Sequence, residues 1–370
     1  MRLFVFEYAT SQGTAGSSIL MEGYSMLKTA VNGLKKEGHC VETCLNQNVS
    51  EIRTLNPDKL HKVDSCKGAL QLIADLKNSF DFVYPIAPED ELCGIVRFLE
   101  SNGIRHLSSS PEAVAAAGDK RVAAEVFKDN AVKTPGNCRG FPCVAKPVFG
   151  AGCEGTYIIG SEDELDALPK NEKFIVQEYI EGDNPSVTFA VGKKGAFPLA
   201  LNKQEIEANG GRLRYKGGMT PASHAKKDEI IGAAKKAVDC LPGLFGVVGV
   251  DLIAGDETYV IEVNPRMVTS FVGLAQVSNV SVLEAITGIP PKSIRFNSCA
   301  YFGHIYCPKD IEFNETIIKK ISAMEGVWVP PVFGSAKAGE SIAFAVSNGK
   351  SEAEAKDRFE RLNKKIWRLI

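Results

Sequence analysis

What the chain lacks narrows its function before any motif is read. It has no run of about 18 consecutive apolar residues, so it offers no transmembrane helix, and the opening MRLFVFEYAT has no signal-peptide layout. Both absences point to a cytoplasmic protein that does not engage membranes. The net charge is only −2, which gives no electrostatic basis for binding nucleic acid or an anionic surface. The ten cysteines are scattered over 370 residues without a secretory signal, which argues against a disulfide scaffold and for buried or free thiols. His39, Cys40 and Cys44 lie close in sequence, but Cys40 falls in the strand-like HCVETCL and reads as a core residue. Cys138 and Cys143 flank a loop and lack the second pair a zinc site needs, so no structural metal is expected. No internal repeat and no low-complexity tract occurs.

What is present is the composition of a globular protein, 44% hydrophobic and 24% charged, in a chain long enough for two or three domains. The first hundred residues alternate strand and helix. RLFVFEYA, HCVETCL and DFVYPIA read as strands, with helices predicted from Gly16, over 65–77 and from Glu89. Leu20, Tyr24, Leu27, Val31 and Leu34 form an amphipathic stripe, and Gly38 supplies a stop. Such alternation predicts a parallel, doubly wound sheet whose functional loops, 7–18 and 85–91, lie at the carboxyl ends of the strands. Glu7, Ser11 and Gln12 in the first loop either meet substrate or form a satisfied polar turn.

The densest chemistry is at 247–267, VVGVDLIAGDETYVIEVNPRM. Two β-branched strands flank the turn residues Ala254, Gly255 and Asp256, so a hairpin brings Asp251 beside Glu262 and Asn264. Glu262 and Asn264 are two positions apart and leave the same face. Strand interiors normally exclude Asp, Glu and Asn. Hard oxygen donors in this arrangement suit Mg²⁺ shared with phosphates, whereas the bland alternative is a polar hairpin face.

Three weaker signals accompany it. CVAKPVFGAGCEGTYII is a strand with Lys146, a loop with Gly150, Gly152 and Gly155, and another strand. Glycines let backbone N–H groups approach phosphate oxygens, although no Lys-Ser/Thr follows and no helix opens, so neither a phosphate loop nor a dinucleotide fold fits. FIVQEYIEGDNPSVTFAV is two strands around an acidic joint, and Lys120 opens a helical run in AAGDKRVAAEVF.

In this order, DK, then KP with a glycine loop, then QEYIEG, then D and ExNPR, the signals resemble the ATP-grasp superfamily over about 104–289. The resemblance implies an α/β ATP-grasp fold, in which an N-terminal doubly wound parallel-sheet domain (1–106) precedes two α+β lobes, 107–173 and 174–290, that sandwich ATP. A C-terminal strand-helix subdomain, 291–370, would buttress the nucleotide lobe. By the same resemblance Lys120 and Lys146 would hold the α- and β-phosphates, and Gly150, Gly152 and Gly155 would close over the γ-phosphate. Gln177, Glu178 and Ile180 would read adenine, and Asp183 or Asn184 the ribose. Asp251, Glu262 and Asn264 would bind two Mg²⁺, or Mn²⁺, and Arg266 would touch the transferring phosphoryl group or the substrate carboxylate. Some ligases of the superfamily carry arginine two residues before the metal aspartate, where this chain has Gly249. The missing charge must then come from Lys203, Arg212, Arg214 or Arg266. Cys153, inside the glycine loop, is a candidate for thiol reagents.

The implied activity is an ATP-dependent carboxylate–amine ligase working through an acyl phosphate. FVFEYATSQG, VYPIAPEDEL, RYKGGMTP and ExNPR are similar to the archaeal ATP-grasp ligases that join glutamate to tyramine in methanofuran synthesis, although the segment after Pro290 is not obviously part of that likeness. The implied partners are therefore a small-molecule carboxylate and an amine, with a homodimer left open. Another amino acid/amine pair, a non-catalytic nucleotide-binding protein and an ATP-dependent carboxylase are the alternatives. The last is disfavoured because no biotinylation-like Met-Lys-Met occurs.

Overall fold

Strand and helix alternate through the N-terminal hundred residues, and a computed structural model describing residues 1–13, 18–150 and 152–370 shows what that alternation builds. The helix expected from Gly16 is described from Ser18, and the loop residue Ala151 lies outside the described residues. The order is β1 (Arg2–Glu7), α1 (Tyr8–Gln12), α2 (Ser18–Lys36), β2 (Cys40–Asn46), β3 (Lys59–Val63), α3 (Cys66–Asp75), β4 (Phe82–Ile86) and α4 (Glu89–Ser101). The four strands form one parallel sheet in the order β3-β2-β1-β4. The α2 stripe, Leu20, Tyr24, Leu27, Val31 and Leu34, is fully buried against it. Strand β3 departs from the strict alternation, because it follows β2 with no helix between them. Its sequence KLHKV is mostly polar and partly exposed, so it carries no apolar pattern to announce it.

Two short helices lead on, α5 (Pro111–Gly118) and α6 (Lys120–Asp129), the second capped by the Asp119 carboxylate. Then come β5 (Cys143–Pro147), β6 (Tyr157–Ile159), α7 (Glu162–Asp166), β7 (Phe174–Glu178), β8 (Pro185–Gly192), β9 (Gly195–Asn209) and β10 (Arg212–Thr220). They are followed by α8 (Lys227–Asp239), β11 (Gly246–Ala254), β12 (Thr258–Asn264), α9 (Thr269–Val277) and α10 (Val282–Ile286). The remainder is β13 (Cys299–Tyr306), β14 (Ile311–Glu312), α11 (Glu315–Ser322), β15 (Val327–Val329), β16 (Ser335–Ala336), β17 (Ser341–Gly349) and α12 (Glu352–Trp367).

A curled sheet runs β12-β11-β8-β9-β10-β13-β17-β15, and β5, β6 and β7 form a flap joined to it where β6 meets β10. Because β7 pairs with β5, the flap extends past residue 173. Because β13 pairs with β10, the C-terminal strands continue the central sheet. Helix α12 places Ala355, Phe359, Leu362 and Ile366 against that extension and turns its charged side outward. A separate apolar layer from α8, β8, β9, β11 and β12 makes the hairpin β11–β12 rigid from behind. No described helix is long and apolar enough to cross a membrane.

Candidate active site

The hairpin β11–β12 sets Asp251 opposite Glu262 and Gly249 opposite Asn264, with a bulge immediately after Asp251. Asp251 is held at both oxygens: Gln204 Nε2 donates to Oδ1 at 3.0 Å and Asn264 Nδ2 donates to Oδ2 at 3.1 Å. Across the pocket, Lys120 Nζ is 3.6 Å from Glu262 Oε2 and donates to the carbonyl of Gly150 at 2.9 Å. The first lysine of the sequence reading therefore ties the glycine loop to the carboxylate pair. Gly150, Gly152 and Gly155 all have positive φ, at 131°, 66° and 68°, a backbone that glycine adopts without cost.

The electrostatics of the pair bear on whether it suits a cation. Burial, followed by the neighbouring Glu262 charge, pushes the Asp251 carboxyl well above the usual carboxylate range. Burial also acts to raise Glu262, but Lys120 and Lys146 outweigh it and hold that carboxyl below its ordinary value. Two desolvated carboxylates side by side repel one another, and a cation between them removes the conflict. The donor set of carboxylate oxygens plus the Asn264 amide oxygen, whose own Nδ2 is engaged elsewhere, fits Mg²⁺.

Two cavities meet at this pair. One, of about 260 Å³, is bounded by the apolar Val144, Ile158, Leu213 and Leu252 and by Lys120, Lys146, Gln177 and Ile180. The other, of about 60 Å³, is lined by Lys203, Tyr215, Asn264, Arg266 and Glu22, and shares Asp251, Glu262, Cys153 and Gln204 with the first. Lys203 and Arg266 thus face the carboxylates, whereas Arg212 and Arg214 line a neighbouring chamber. The Arg266 side chain is largely shielded and ion-paired with Glu89, Nε to Oε1 at 2.8 Å, which links the catalytic pocket to the first turn of α4. Gly249 cannot be replaced by arginine without rearrangement, since a Cβ there would come within 2.5 Å of Val268 Cγ1.

Several expected roles are redistributed. Asp183 pairs through backbone with Ala254 and its carboxylate lies 3.4 Å from His224, outside the cavity, while Asn184 lines it. Gln177, Glu178 and Ile180 all line the larger cavity, and there the Glu178 carboxylate also accepts the Gly136 N–H at 2.7 Å and the Gln177 amide donates to the Pro135 carbonyl at 2.9 Å. Glu7 caps α1 through Ala9 and Thr10, Ser11 donates to the Glu7 carbonyl and Gln12 accepts the Cys66 N–H: these residues of the first loop form a satisfied polar turn. Cys40 is exposed, whereas Cys44 is the core residue of that strand. The Cys153 thiol is pushed up to about 12 by burial and by Glu262 and Asp251, so it stays protonated and is a poor target for thiol reagents. The sequence reading missed Gln204, Tyr215 and Glu22. Only their cross-strand and interdomain positions bring them here, and no local motif marks them.

A model of the ATP-grasp domain matches residues 117–270. The chain is 34% identical over 276 residues to the tyramine–L-glutamate ligase of Methanocaldococcus fervens, covering 74% of this chain and 89% of that protein. The chain belongs to the ATP-grasp family. Within it, this protein is an ATP-dependent ligase that joins a carboxylate to an amine. An ATP-grasp superfamily protein from Archaeoglobus fulgidus, 26% identical, superposes with a TM-score of 0.66 over 94% of this chain and 98% of its own. The L-amino acid ligase from Bacillus licheniformis, 15% identical, shares the fold with a TM-score of 0.74 over 98% and 97% of the two chains. The ATP-grasp fold therefore runs through the segment after Pro290 as well.

Proposed function

We propose that this ligase activates the side-chain carboxylate of glutamate with ATP and couples it to tyramine, as a cytoplasmic step of methanofuran synthesis. The observation that carries the reading is the likeness to tyramine–L-glutamate ligase over nearly nine-tenths of that protein, together with a half-buried carboxylate pair facing two lysines. A homodimer is part of the proposal.

Mg²⁺ held by Asp251, Glu262 and Asn264 would supply charge to the phosphoryl oxygens. Lys146 and Lys120 bind the phosphates at the mouth of the glycine loop, and the apolar walls with the backbone around Ile180 take the adenine. The substrate carboxylate attacks the γ-phosphorus, releasing ADP and forming an acyl phosphate. The amine then attacks the acyl carbon, phosphate leaves with the bonding pair, and the amine's proton passes to solvent. Arg266 and Lys203 stabilise the developing negative charge.

ADP release should require glutamate, and amide formation should require both glutamate and tyramine, in a screen of amino acids against amines. ADP formation equally fast with neither substrate, or with bicarbonate alone, would reject the reading. The lysine assignment has its own test. Burial, opposed by Glu262, pulls Lys146 down to about 8. Bound phosphates raise it again, so ATP binding should take up a proton above pH 8 and weaken as pH climbs further. Calorimetry at pH 8.5 in two buffers of different ionisation enthalpy reads that uptake. Lys146→Ala should abolish it and lower affinity by about tenfold or more, the worth of one charge-assisted contact.

A further inference from the structure

Beyond the carboxylate pocket lies a chamber of about 440 Å³ whose walls carry both signs of charge. Glu22, Gly152, Cys153 and Tyr215 line both spaces, so the chamber opens directly onto Asp251 and Glu262. Its anionic groups are Glu22 of α2, Glu154, which accepts the Ser18 hydroxyl, and Glu340, which accepts the Lys337 N–H; its cationic groups are Arg212 and Arg214, two positions apart on β10.

Among the described residues, the hydrogen bond that holds Glu22 comes from His304. The Glu22 Oε1 meets His304 Nε2 at 3.0 Å, and the fully buried His304 ring meets Ser341 Oγ through Nδ1 at 2.8 Å. With Nε2 donating to Glu22, Nδ1 accepts the serine proton, and the ring has no freedom to turn, because Tyr215, Tyr306 and Phe344 pack around it. A carboxylate has about four acceptor positions, so Oε2 remains available to a cation. Arg214 lies over the Tyr306 ring, 3.6 Å from its centroid, and donates one N–H to the Gly339 carbonyl, which orients the guanidinium and leaves other donors free. Arg212 has no carboxylate partner among the described residues. Besides Glu154 and Glu340, the chamber therefore carries a fixed carboxylate and an oriented guanidinium, the complement of an ammonium and a carboxylate on one small molecule.

We propose that this chamber is the amino-acid subsite, in which Glu22 takes the α-ammonium, Arg214 with Arg212 takes the α-carboxylate, and the side chain passes through the shared opening to the phosphoryl-transfer pocket. This rests on the ligase reading above and adds the residues that select the substrate and its reacting end. With both α groups engaged, only a distal carboxylate reaches Asp251 and Glu262. A monocarboxylic amino acid then has nothing to activate, and a dicarboxylate without an ammonium leaves Glu22 unpaired. His304 and Ser341 are positioning residues that hold Glu22.

The test compares glutamate, glutarate, which lacks the ammonium, and isoglutamine, whose α-carboxylate is an amide, in the wild-type protein, Glu22→Gln and Arg214→Met. The wild type should prefer glutamate over each analogue by at least about a hundredfold in kcat/KM, because each analogue leaves a charged group unpaired. Glu22→Gln should raise the KM for glutamate about tenfold or more, leave the KM for ATP within about twofold, and collapse the glutamate/glutarate preference while keeping that against isoglutamine. Arg214→Met should do the reverse. His304→Gln should repeat the Glu22→Gln pattern more weakly. Preferences unchanged in both variants of an active enzyme would overturn the proposal and leave the ligase reading intact. If the wild type turns over no dicarboxylic amino acid, the proposed glutamate–tyramine reading fails instead. Calorimetry of glutamate and glutarate binding to wild type and Arg214→Met then decides the subsite without turnover, and does so even if Glu22→Gln does not fold.

Discussion

Asp251→Asn and Glu262→Gln should each lower the rate of amide formation roughly a thousandfold. Without ligand, Asp251→Asn should be at least as stable as the wild type, whereas Glu262→Gln should be less stable because Lys120 and Lys146 lose their counter-charge. The loss follows from chemistry that concentrates charge on transferring phosphoryl oxygens. Removing one carboxylate weakens the cation that answers that charge by about 4 kcal/mol, or three decades of rate. The stability result follows from repulsion. Burial and the Glu262 charge hold the Asp251 carboxyl far above its normal range, so ionising both groups at neutral pH destabilises the fold. An amide at position 251 removes that conflict, and Gln204 and Asn264 remain beside it. Steady-state ADP release and a thermal melt without nucleotide check the two halves together. Full activity in both variants would remove the centre of the mechanism; a large fall in the melting temperature of Asp251→Asn would mean that carboxylate is structural.

Glu89→Ala should destabilise the protein by about 3–5 kcal/mol and also disable it. Glu89 and Arg266 form an ion pair with both side chains almost wholly buried, 7% and 10% exposed. Cutting one partner leaves a guanidinium desolvated without its counter-charge, which costs far more than the pair contributes. Glu89 stands in the first turn of α4 and Arg266 follows β12, so the same contact fastens the N-terminal sheet to the phosphoryl-transfer pocket. Replacing both residues by methionine should restore much of the stability, because a well-packed apolar pair is tolerated where a lone charge is not. It should not restore turnover, since Arg266 faces the carboxylates. Urea unfolding of the single and double variants reads the difference. A Glu89→Ala cost under about 1 kcal/mol would show that Arg266 finds another anion.

The local chemistry of the site was legible in the sequence because it is carried by short-range periodicity. Two β-branched runs around a turn put Asp251 against Glu262, and strand alternation put Asn264 on the face of Glu262. The stripe of α2 was equally legible, since a 3.6-residue repeat needs no knowledge of what packs on it. Strand β3 was not, because polar KLHKV becomes a strand only by pairing with β2. The reason Gly249 is glycine was hidden too, since the obstruction is Val268 in space and not a neighbour in sequence.

Sequence by itself thus determined the family, the acidic hairpin and the lysines set opposite it, all of which reside in contiguous segments. Only the tertiary structure decided which charges share a cavity. It joined Glu22 to His304 across 282 positions and Arg266 to the N-terminal domain, and it placed Arg214 beside the carboxylate pocket and not in it. Residues so far apart leave no periodic trace, because the free energy that brings them together is that of burying the sheets and helices between them.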